Sequence, residues 1–221
     1  MSRFFSRFMM LAGALLVFAG CDEAKQDAPA NDTLVIGYEN FAPYLYAGSG
    51  GKPTGFDFDL ANEVARRNGW KTEFRVIPWQ DKEELLDAGE IDCLWGGMKL
   101  TAQRKDSFLC CAPYLLSAEV VVATRASCIQ SPADLAGKTL AVQRTTPDFR
   151  EFTDGSQKHL GSKLKKMVMV DDFSDICELL ETGKVDAVAT DYLVASHLWR
   201  NNPEIVILPK SIIDTWNVIG F

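Results

Sequence analysis

Two similar stretches, ELLDAGEID at residues 84–92 and ELLETGKVD at residues 178–186, indicate how this chain folds. Each stretch predicts the last turns of a helix, a glycine that stops the helix, and a strand that opens with Ile-Asp or Val-Asp. A helix–glycine–strand unit can recur by chance in α/β proteins. Two copies this similar nevertheless predict two related lobes, each with its own small sheet.

Outward from these stretches, short β-rich runs alternate with helix-like segments from Leu34 onward. Asp57 is a candidate N-cap for a helix that ends at Asn68-Gly69. Such alternation predicts an α/β fold whose small, mostly parallel sheets are flanked by helices. Further strands are predicted at residues 34–37, 72–77, 91–95, 120–124, 139–142, 167–170, 185–189 and 205–208, and further helices at residues 82–88, 173–182 and 192–200.

The first twenty residues predict a signal peptide. Arg3 and Arg7 supply positive charge, and the apolar run at residues 8–19 is shorter than the roughly 20 residues that a membrane-spanning helix needs. The run ends in Phe18-Ala19-Gly20-Cys21, which resembles the bacterial lipobox. We therefore expect Cys21 to carry lipid, palmitate included, although an ordinary secretory signal with a chance cysteine is the alternative.

Residues 22–32, DEAKQDAPAND, contain no aromatic and no β-branched side chain. A segment of this composition buries too little apolar surface to offset the entropy lost on ordering. We therefore predict that residues 21–32 form a lipidated, flexible tether. It would hold the folded part at the outer face of the cytoplasmic membrane, which is the periplasmic side in a Gram-negative host.

The charge and the cysteines exclude several classes of function. A formal net charge of −7 argues against nucleic acid or anionic lipid as the main partner. The cysteines show no C-x-x-C spacing and no neighbouring histidine cluster, so the sequence predicts no zinc site, no other metal site and no cofactor. Their number beyond Cys21 is odd, so at least one thiol has no partner within the chain. These cysteines are Cys93, Cys110, Cys111, Cys128 and Cys177.

Ligands of open α/β sheets bind beyond the carboxyl ends of the strands, which here lie near Gly97 and Asp191. Arg104 follows Gly97 by a few residues. An arginine fork suits a carboxylate and an aspartate suits an ammonium, so these residues predict a cleft that clamps a zwitterion. The residues alone leave alternatives open, because Arg104 would also suit a solvated surface and Asp191 would also suit the N-cap of the following helix.

Three further residues extend the predicted site. Thr146 before Pro147 indicates the start of a helix, where free N–H groups favour a carboxylate, although these residues would also suit a helix start with no ligand. Phe41 and Trp79 follow strands of the first predicted lobe and are candidates to stack on a ligand. Aromatic residues in such positions also commonly belong to the core.

The chain resembles the solute-binding protein family 3 of amino-acid ABC importers. The resemblance implies a two-lobed, periplasmic-binding-protein-like fold. It implies a first lobe at residues 33–122, a second at residues 123–210, and a return toward the first lobe at residues 211–221, where the family's C-terminal helices are absent. The matching segments are LVIGYENFAPYLY (34–46), GFDFDLANEVARRNGW (55–70), LLDAGEIDCLWGGMKLTAQR (85–104), APYL (112–115), DLAGKTLAVQ (134–143) and ELLETGKVDAVATDYLVA (178–195).

The resemblance also implies roles for individual residues. In that family, one aromatic residue before an Ala-Pro pair and another after the following strand cover the ligand, which implies this role for Phe41 and Trp79. Backbone groups and the arginine of the G-x-T-I-T-x-x-R segment take the ligand carboxylate, which implies Gly97 and Arg104. The acidic residue after the V-D-A-V strand binds the ligand ammonium, which implies Asp191.

Two positions depart from the family pattern. Lys99 replaces a hydroxyl, and a second cation beside Arg104 favours a polar or acidic amino acid as ligand. Alternatively, Lys99 points to solvent or displaces the usual carboxylate geometry. The family's G-T-T loop, whose threonine adds a hydroxyl contact, corresponds to Arg144-Thr145-Thr146 with its glycine lost. The implied contact is Thr146 or, less securely, Thr145.

As a function, the resemblance implies a receptor that closes on an amino acid and delivers it to the permease of an ABC transporter, and it implies no enzyme. Two alternatives remain at this point: a sensory or degenerate binding module, and a dehydratase that acts on a cyclic acid, as a cyclohexadienyl dehydratase does. His159 and His197 lie in no nucleophile or metal motif, which argues against catalysis.

Overall fold

The computed structural model describes residues 33–221. The predicted signal peptide at residues 1–20 and the whole predicted tether at residues 21–32, with the lipidation site Cys21, lie outside the described residues.

The first half of the described chain forms the elements that we call the first lobe. They are β1 (Thr33–Tyr38), β2 (Tyr46–Ala47), β3 (Pro53–Thr54), α1 (Phe56–Asn68), β4 (Lys71–Val76), α2 (Lys82–Asp87), β5 (Cys93–Leu94) and α3 (Ala102–Ser107). Strands β4, β1 and β5 form a parallel, three-stranded sheet in that order, and β2 and β3 form a small antiparallel pair.

The remaining elements form the second lobe. They are β6 (Leu115–Thr124), β7 (Thr139–Gln143), α4 (Pro147–Thr153), α5 (Lys158–Gly161), β8 (Lys166–Val170), α6 (Phe173–Glu181), β9 (Ala187–Asp191), α7 (Tyr192–Trp199) and β10 (Ile205–Asn217). Their sheet has the order β10–β6–β9–β7–β8. Strand β7 runs parallel to β8 and β9, whereas β6 runs antiparallel to β9 and β10. The predicted two-lobed α/β fold is confirmed.

The repeated helix–glycine–strand unit has the same structure in both lobes. Helices α2 and α6 each stop before a glycine in the left-handed region, with φ 69° at Gly89 and Gly183. In the first lobe, the Asp92 carboxylate accepts a hydrogen bond from the Val35 N–H at 2.7 Å. In the second lobe, the Asp186 carboxylate accepts one from the Thr139 N–H at 2.8 Å. The aspartate of each repeat therefore fixes one strand of its sheet, β1 in the first lobe and β7 in the second, through the same kind of hydrogen bond.

Apolar side chains alternate between the two faces of the second sheet. Val120 and Val122 of β6 belong to one buried cluster, which includes α6 and α7 residues, while Val121 and Ala123 belong to the cluster on the opposite face. Consecutive strand residues point to opposite faces, so a strand buried on both sides is apolar at every position. This burial explains the unbroken apolar run that predicts β6.

Strands β6 and β10 are longer than the sequence predicts. Their pairing extends from Ile205 opposite Thr124 to Asn217 opposite Leu115, with register shifts between Ile207 and Ile213. Pro209 lies within the interrupted stretch and has no N–H to donate, which accounts for the irregular pairing at this sheet edge. The lobe boundaries predicted from the sequence stay predictions.

The far end of β10 contacts the first lobe. Asn217 forms a β-bridge with Lys99, and Gly220, just beyond the strand, forms bridges with Leu94 and Cys110. The paired strands β6 and β10 therefore connect the two lobes. In residues 33–221, no helix is long and apolar enough to span a membrane.

Candidate functional site

A cleft between the lobes collects every ligand-binding residue that the sequence predicts. It holds about 520 Å³ of space outside the protein atoms, its open mouth included, and it is lined by residues from both lobes. The predicted residues on its walls are Phe41, Trp79, Gly97, Lys99, Arg104, Thr146 and Asp191. Whether each of them contacts a ligand stays a prediction.

The turn at Gly96 and Gly97 is fixed by a hydrogen bond to a buried carboxylate. Asp57 does not cap α1 as predicted, because the helix begins at Phe56 with Gly55 at the N-cap position. Instead, Asp57 is fully buried and accepts hydrogen bonds from the Gly97 N–H at 2.7 Å and from the Tyr114 hydroxyl at 3.0 Å. The Gly97 N–H is thus used within the protein, which limits what this residue offers a ligand.

Gly97 itself has little freedom to change. Its φ is 75°, and a Cβ added there would lie 2.8 Å from the Tyr44 ring and 3.0 Å from the Phe41 ring. The glycine therefore lets two aromatic side chains approach the backbone at the floor of the cleft.

Arg104 is a buried guanidinium without a carboxylate partner among the described residues. It lies on α3, whose N-cap Thr101 accepts a hydrogen bond from the Arg104 N–H at 3.1 Å. Its guanidinium donates to the carbonyls of Lys99 at 2.7 Å and Thr145 at 3.2 Å, and it lies 5.4 Å from the centroid of the Trp79 ring. The structure excludes the alternative of a solvated surface residue.

Burial lowers the pKa of Arg104 to about 10, so the group stays protonated at neutral pH. A buried charge that contacts only carbonyl dipoles and a ring face is poorly compensated. An anion placed in the cleft would supply the missing counter-charge.

Asp191 forms an ion pair with Lys99 across the cleft. The distance between the Lys99 Nζ and the Asp191 Oδ2 is 2.6 Å, and both side chains are buried. Asp191 also caps α7, where its Oδ1 accepts from the N–H groups of Leu193 at 2.8 Å and Val194 at 3.1 Å. The predicted capping role is therefore present, and Lys99 points into the protein rather than to solvent.

Other donors complete the surroundings of this ion pair. The Tyr44 hydroxyl lies 3.1 Å from both Asp191 oxygens, and the Ser117 hydroxyl donates to Oδ2 at 2.6 Å. Lys99 also donates to the Asn217 side-chain oxygen at 2.8 Å. The charges of Lys99 and Asp191 are thus neutralised within the protein.

The pKa of Lys99 also shows the effect of the neighbouring negative charges. Burial by itself would lower this pKa, but the negative charges of Asp191 and Glu119 outweigh burial and raise it. Lys99 is consequently protonated and held in place, so it is not available to bind a second carboxylate of a ligand.

Two buried acids that sequence reasoning missed line the second-lobe side of the cleft. Glu119 lies on β6 and Asp148 lies in the first turn of α4. Burial, reinforced by neighbouring negative charge, raises the pKa of Glu119 to about 7 and raises that of Asp148 well above its usual range. A single acid within the apolar run SAEVVVA, and another after Thr146-Pro147, are the only signals that the sequence offers.

A third missed acid connects the lobes. The Glu39 carboxylate of the first lobe accepts hydrogen bonds from the Gln143 amide, 2.8 Å from each oxygen, and from the Phe173 N–H at 3.1 Å. Burial raises the pKa of Glu39, and these two hydrogen bonds oppose the rise. Glu39 thus links the first lobe by hydrogen bonds to β7 and to the start of α6.

The predicted aromatic residues are engaged mainly with protein groups. Phe41 stacks on Tyr44 with ring centroids 5.8 Å apart and meets Phe173 edge-on at 4.9 Å. Trp79 is 9 % exposed, and Arg104 and Lys82 lie over its ring. Trp79 therefore supports the guanidinium as well as lining the cleft.

The sequence predicts only part of the structure of the loop before α4, namely the helix start at Thr146. Thr146 caps α4, and its hydroxyl donates to the Gln143 carbonyl at 2.7 Å. The residue in the left-handed region is Thr145, with φ 64°. This backbone conformation favours glycine, so Thr145 is strained there, and the correspondence of residues 144–146 to the family's G-T-T loop stays a prediction.

The described part of the chain contains neither a disulfide nor a cluster of side chains suited to a metal ion. Its cysteines are all free thiols: Cys93 is buried, Cys128 is exposed and the others lie between these extremes. No group of three or more His, Cys, Asp or Glu side chains within residues 33–221 is arranged to hold a metal ion.

Comparison with known proteins gives consistent matches. Residues 34–158 match the model of the bacterial extracellular solute-binding proteins, family 3. A probable histidine-binding protein of Neisseria gonorrhoeae is 30% identical over 220 residues, which cover 94% of this chain and 80% of the relative. Two solved structures are similar over 86% of this chain. They are an ancestral arginine-binding protein bound to glutamine (30% identity, 84% of its chain, TM-score 0.77) and holo ArgBP from T. maritima (28% identity, 82% of its chain, TM-score 0.74).

Proposed function

Because this chain belongs to the bacterial extracellular solute-binding proteins, family 3, we propose that it captures an amino acid or amino-acid-like solute between its lobes. It then delivers this solute to the permease of an ABC importer. The observation that carries the proposal is Arg104, a buried guanidinium on the cleft wall that forms no ion pair with any carboxylate of residues 33–221. A ligand carboxylate is the group that the planar fork of an arginine binds best.

The arrangement of the cleft supports this assignment. Both lobes contribute walls, so a ligand between them would add contacts to each lobe and favour their closure. The similar proteins carry names that refer to histidine, arginine and glutamine, which are all carboxylate-bearing zwitterions.

The binding role is tested by titrating the purified, full-length protein in detergent with each of the common amino acids. We expect at least one amino acid to bind with a dissociation constant in the micromolar range or below, measured by calorimetry, and to raise the thermal midpoint. A linked rise in midpoint follows because a ligand that binds only the folded state stabilises it by mass action. Absence of binding by a cooperatively folded protein would contradict the assignment and favour a sensory or degenerate module.

We also propose that the protein is a lipoprotein anchored through Cys21 to the outer face of the cytoplasmic membrane. The support is the apolar run at residues 8–19, the Phe18-Ala19-Gly20-Cys21 segment and the polar tether that follows. Cells that express the protein and are fed labelled palmitate should incorporate the label, and Cys21→Ser should abolish it. Cys128→Ser, which alters an exposed cysteine, is the control that should keep the label.

A further inference from the structure

The position expected to bind a ligand ammonium is already filled. Asp191 accepts hydrogen bonds from two backbone N–H groups, from Tyr44 and from Ser117, and it forms the ion pair with Lys99. The Lys99 ammonium thus supplies the positive charge that a ligand would otherwise bring. A second ammonium at Asp191 would meet no free acceptor and would be repelled by Lys99.

Other carboxylate oxygens in the cleft do lack donors. The buried Oε1 of Glu119 and the buried Oδ1 of Asp148 have no hydrogen-bond partner among the described residues. Glu119 is 2 % exposed and Asp148 is 4 % exposed, and both line the same cleft as Arg104. Buried acceptors without donors are uncommon in native proteins and call for an explanation.

The charges that remain unpaired in the cleft have opposite signs on its two sides. Within the described part of the chain, Arg104 of the first lobe forms no ion pair with a carboxylate, and Glu119 and Asp148 of the second lobe form none with a cation. A ligand with a carboxylate at one end and N–H donors on a cationic group at the other would satisfy both. A guanidinium offers five such donors and an ammonium offers three.

We propose that Glu119 and Asp148 form a subsite for a cationic nitrogen group of the ligand, an ammonium or a guanidinium, in place of Asp191. This inference rests on the proposed function, since it assumes that the cleft binds the transported solute. It assigns the ligand to the class of carboxylates that carry a cationic group, with the carboxylate on Arg104. Burial is the first cause of the raised pKa values of both acids, the neighbouring Glu119 raises the pKa of Asp148 further, and the positive charge of Lys99 opposes the rise at both.

The test compares the wild-type protein with the double variant Glu119→Gln/Asp148→Asn, which keeps the shapes of both side chains and removes their charges. The probes are arginine, lysine, N-acetylarginine, glutamine and glutamate, titrated into the full-length protein by calorimetry. We expect a cationic probe to bind the wild-type protein best, and the double variant to lose at least about tenfold in affinity for it, as for charge-assisted hydrogen bonds. Glu204→Gln/Asp175→Asn, which removes two exposed acids of the second lobe, should bind like the wild-type protein.

The probes also identify which cationic group is bound. Equal binding of arginine and N-acetylarginine would place the side-chain cation on the subsite, because acetylation removes the charge of the α-amino group. Strong binding of arginine that N-acetylation abolishes would place the α-ammonium there. Either result supports the subsite, provided that the double variant loses the affinity.

Two results would overturn the inference. One is unchanged affinity of the double variant for the best probe, which would leave the proposed receptor function intact while removing the subsite. The other is a lower thermal midpoint of the unliganded double variant, which would show that the two acids serve the fold. Loss of an uncompensated pair of acids should instead leave the midpoint unchanged or raise it. If no probe binds the folded wild-type protein, the receptor function itself fails.

Discussion

Asp191→Ala is expected to destabilise the folded protein by about 3–5 kcal/mol, because it leaves the Lys99 ammonium buried without its counter-ion. Lys99 and Asp191 are both almost completely buried, and their charged atoms lie 2.6 Å apart. Removing one partner of such a pair lowers the free energy of unfolding by far more than the intact pair contributes to it, because the other charge stays buried without compensation. Urea unfolding followed by circular dichroism measures the change in free energy of unfolding.

Two further variants test the cause of this loss. Lys99→Met/Asp191→Ala removes both charges and should recover most of the stability, short of about 1 kcal/mol for the lost cap of α7. The control is Glu178→Ala, which breaks an exposed ion pair with Lys184. The Lys184 Nζ lies 2.8 Å from the Glu178 Oε1, a distance similar to that in the buried pair. An exposed pair contributes only about 0–1 kcal/mol. If Asp191→Ala costs no more than Glu178→Ala, the buried pair does not have the role assigned to it.

Arg104→Ala is expected to weaken ligand binding by at least about 100-fold, because truncating one partner of a buried, hydrogen-bonded charge pair costs roughly 2–5 kcal/mol. Arg104→Lys should also bind poorly, since an ammonium cannot reproduce the planar fork that contacts two carbonyls and the Trp79 ring. Calorimetric titration with the best ligand of the amino-acid panel measures both changes.

Arg200→Ala is the matched control, because Arg200 is exposed at the end of α7 and forms no ion pair in the described structure. Thermal unfolding of each variant separates a loss of affinity from a loss of fold. An Arg104→Ala protein that is folded and binds with the wild-type dissociation constant would refute the carboxylate role of Arg104.

Much of the fold was predictable because its signals are local. The repeated stretches at residues 84–92 and 178–186 predict two sheets, and their two aspartates fasten equivalent strands. The full lengths of β6 and β10 were not predictable in the same way. Their outer residues pair with each other, and the end of β10 also pairs with the first lobe. Such long-range contacts leave no periodic pattern in the sequence.

The sequence predicted which residues line the cleft, but it did not predict which of these residues form an ion pair with each other. Resemblance to a family indicated Arg104, Lys99 and Asp191 as cleft residues, and all three line the cleft. It did not indicate that Lys99 would neutralise Asp191, because the two residues come from different lobes. Glu119 and Asp148 were missed because a single acid beside apolar residues is usually solvent-exposed, and only the tertiary structure shows that they are buried.

The pairing of β6 with β10 has a consequence for how the chain folds. The partners are about a hundred residues apart in sequence at the outer end of the pair. The chain between them must therefore lose conformational entropy before the pairing of the two strands can stabilise the fold. Contacts of such high sequence separation slow folding, whereas each helix–glycine–strand unit forms from neighbouring residues. The local units should therefore appear early, and the cleft, which needs both lobes joined, should be among the last features to form. Until then, the buried edge of β6 is open to pairing with another chain, which makes this stage the one most exposed to aggregation.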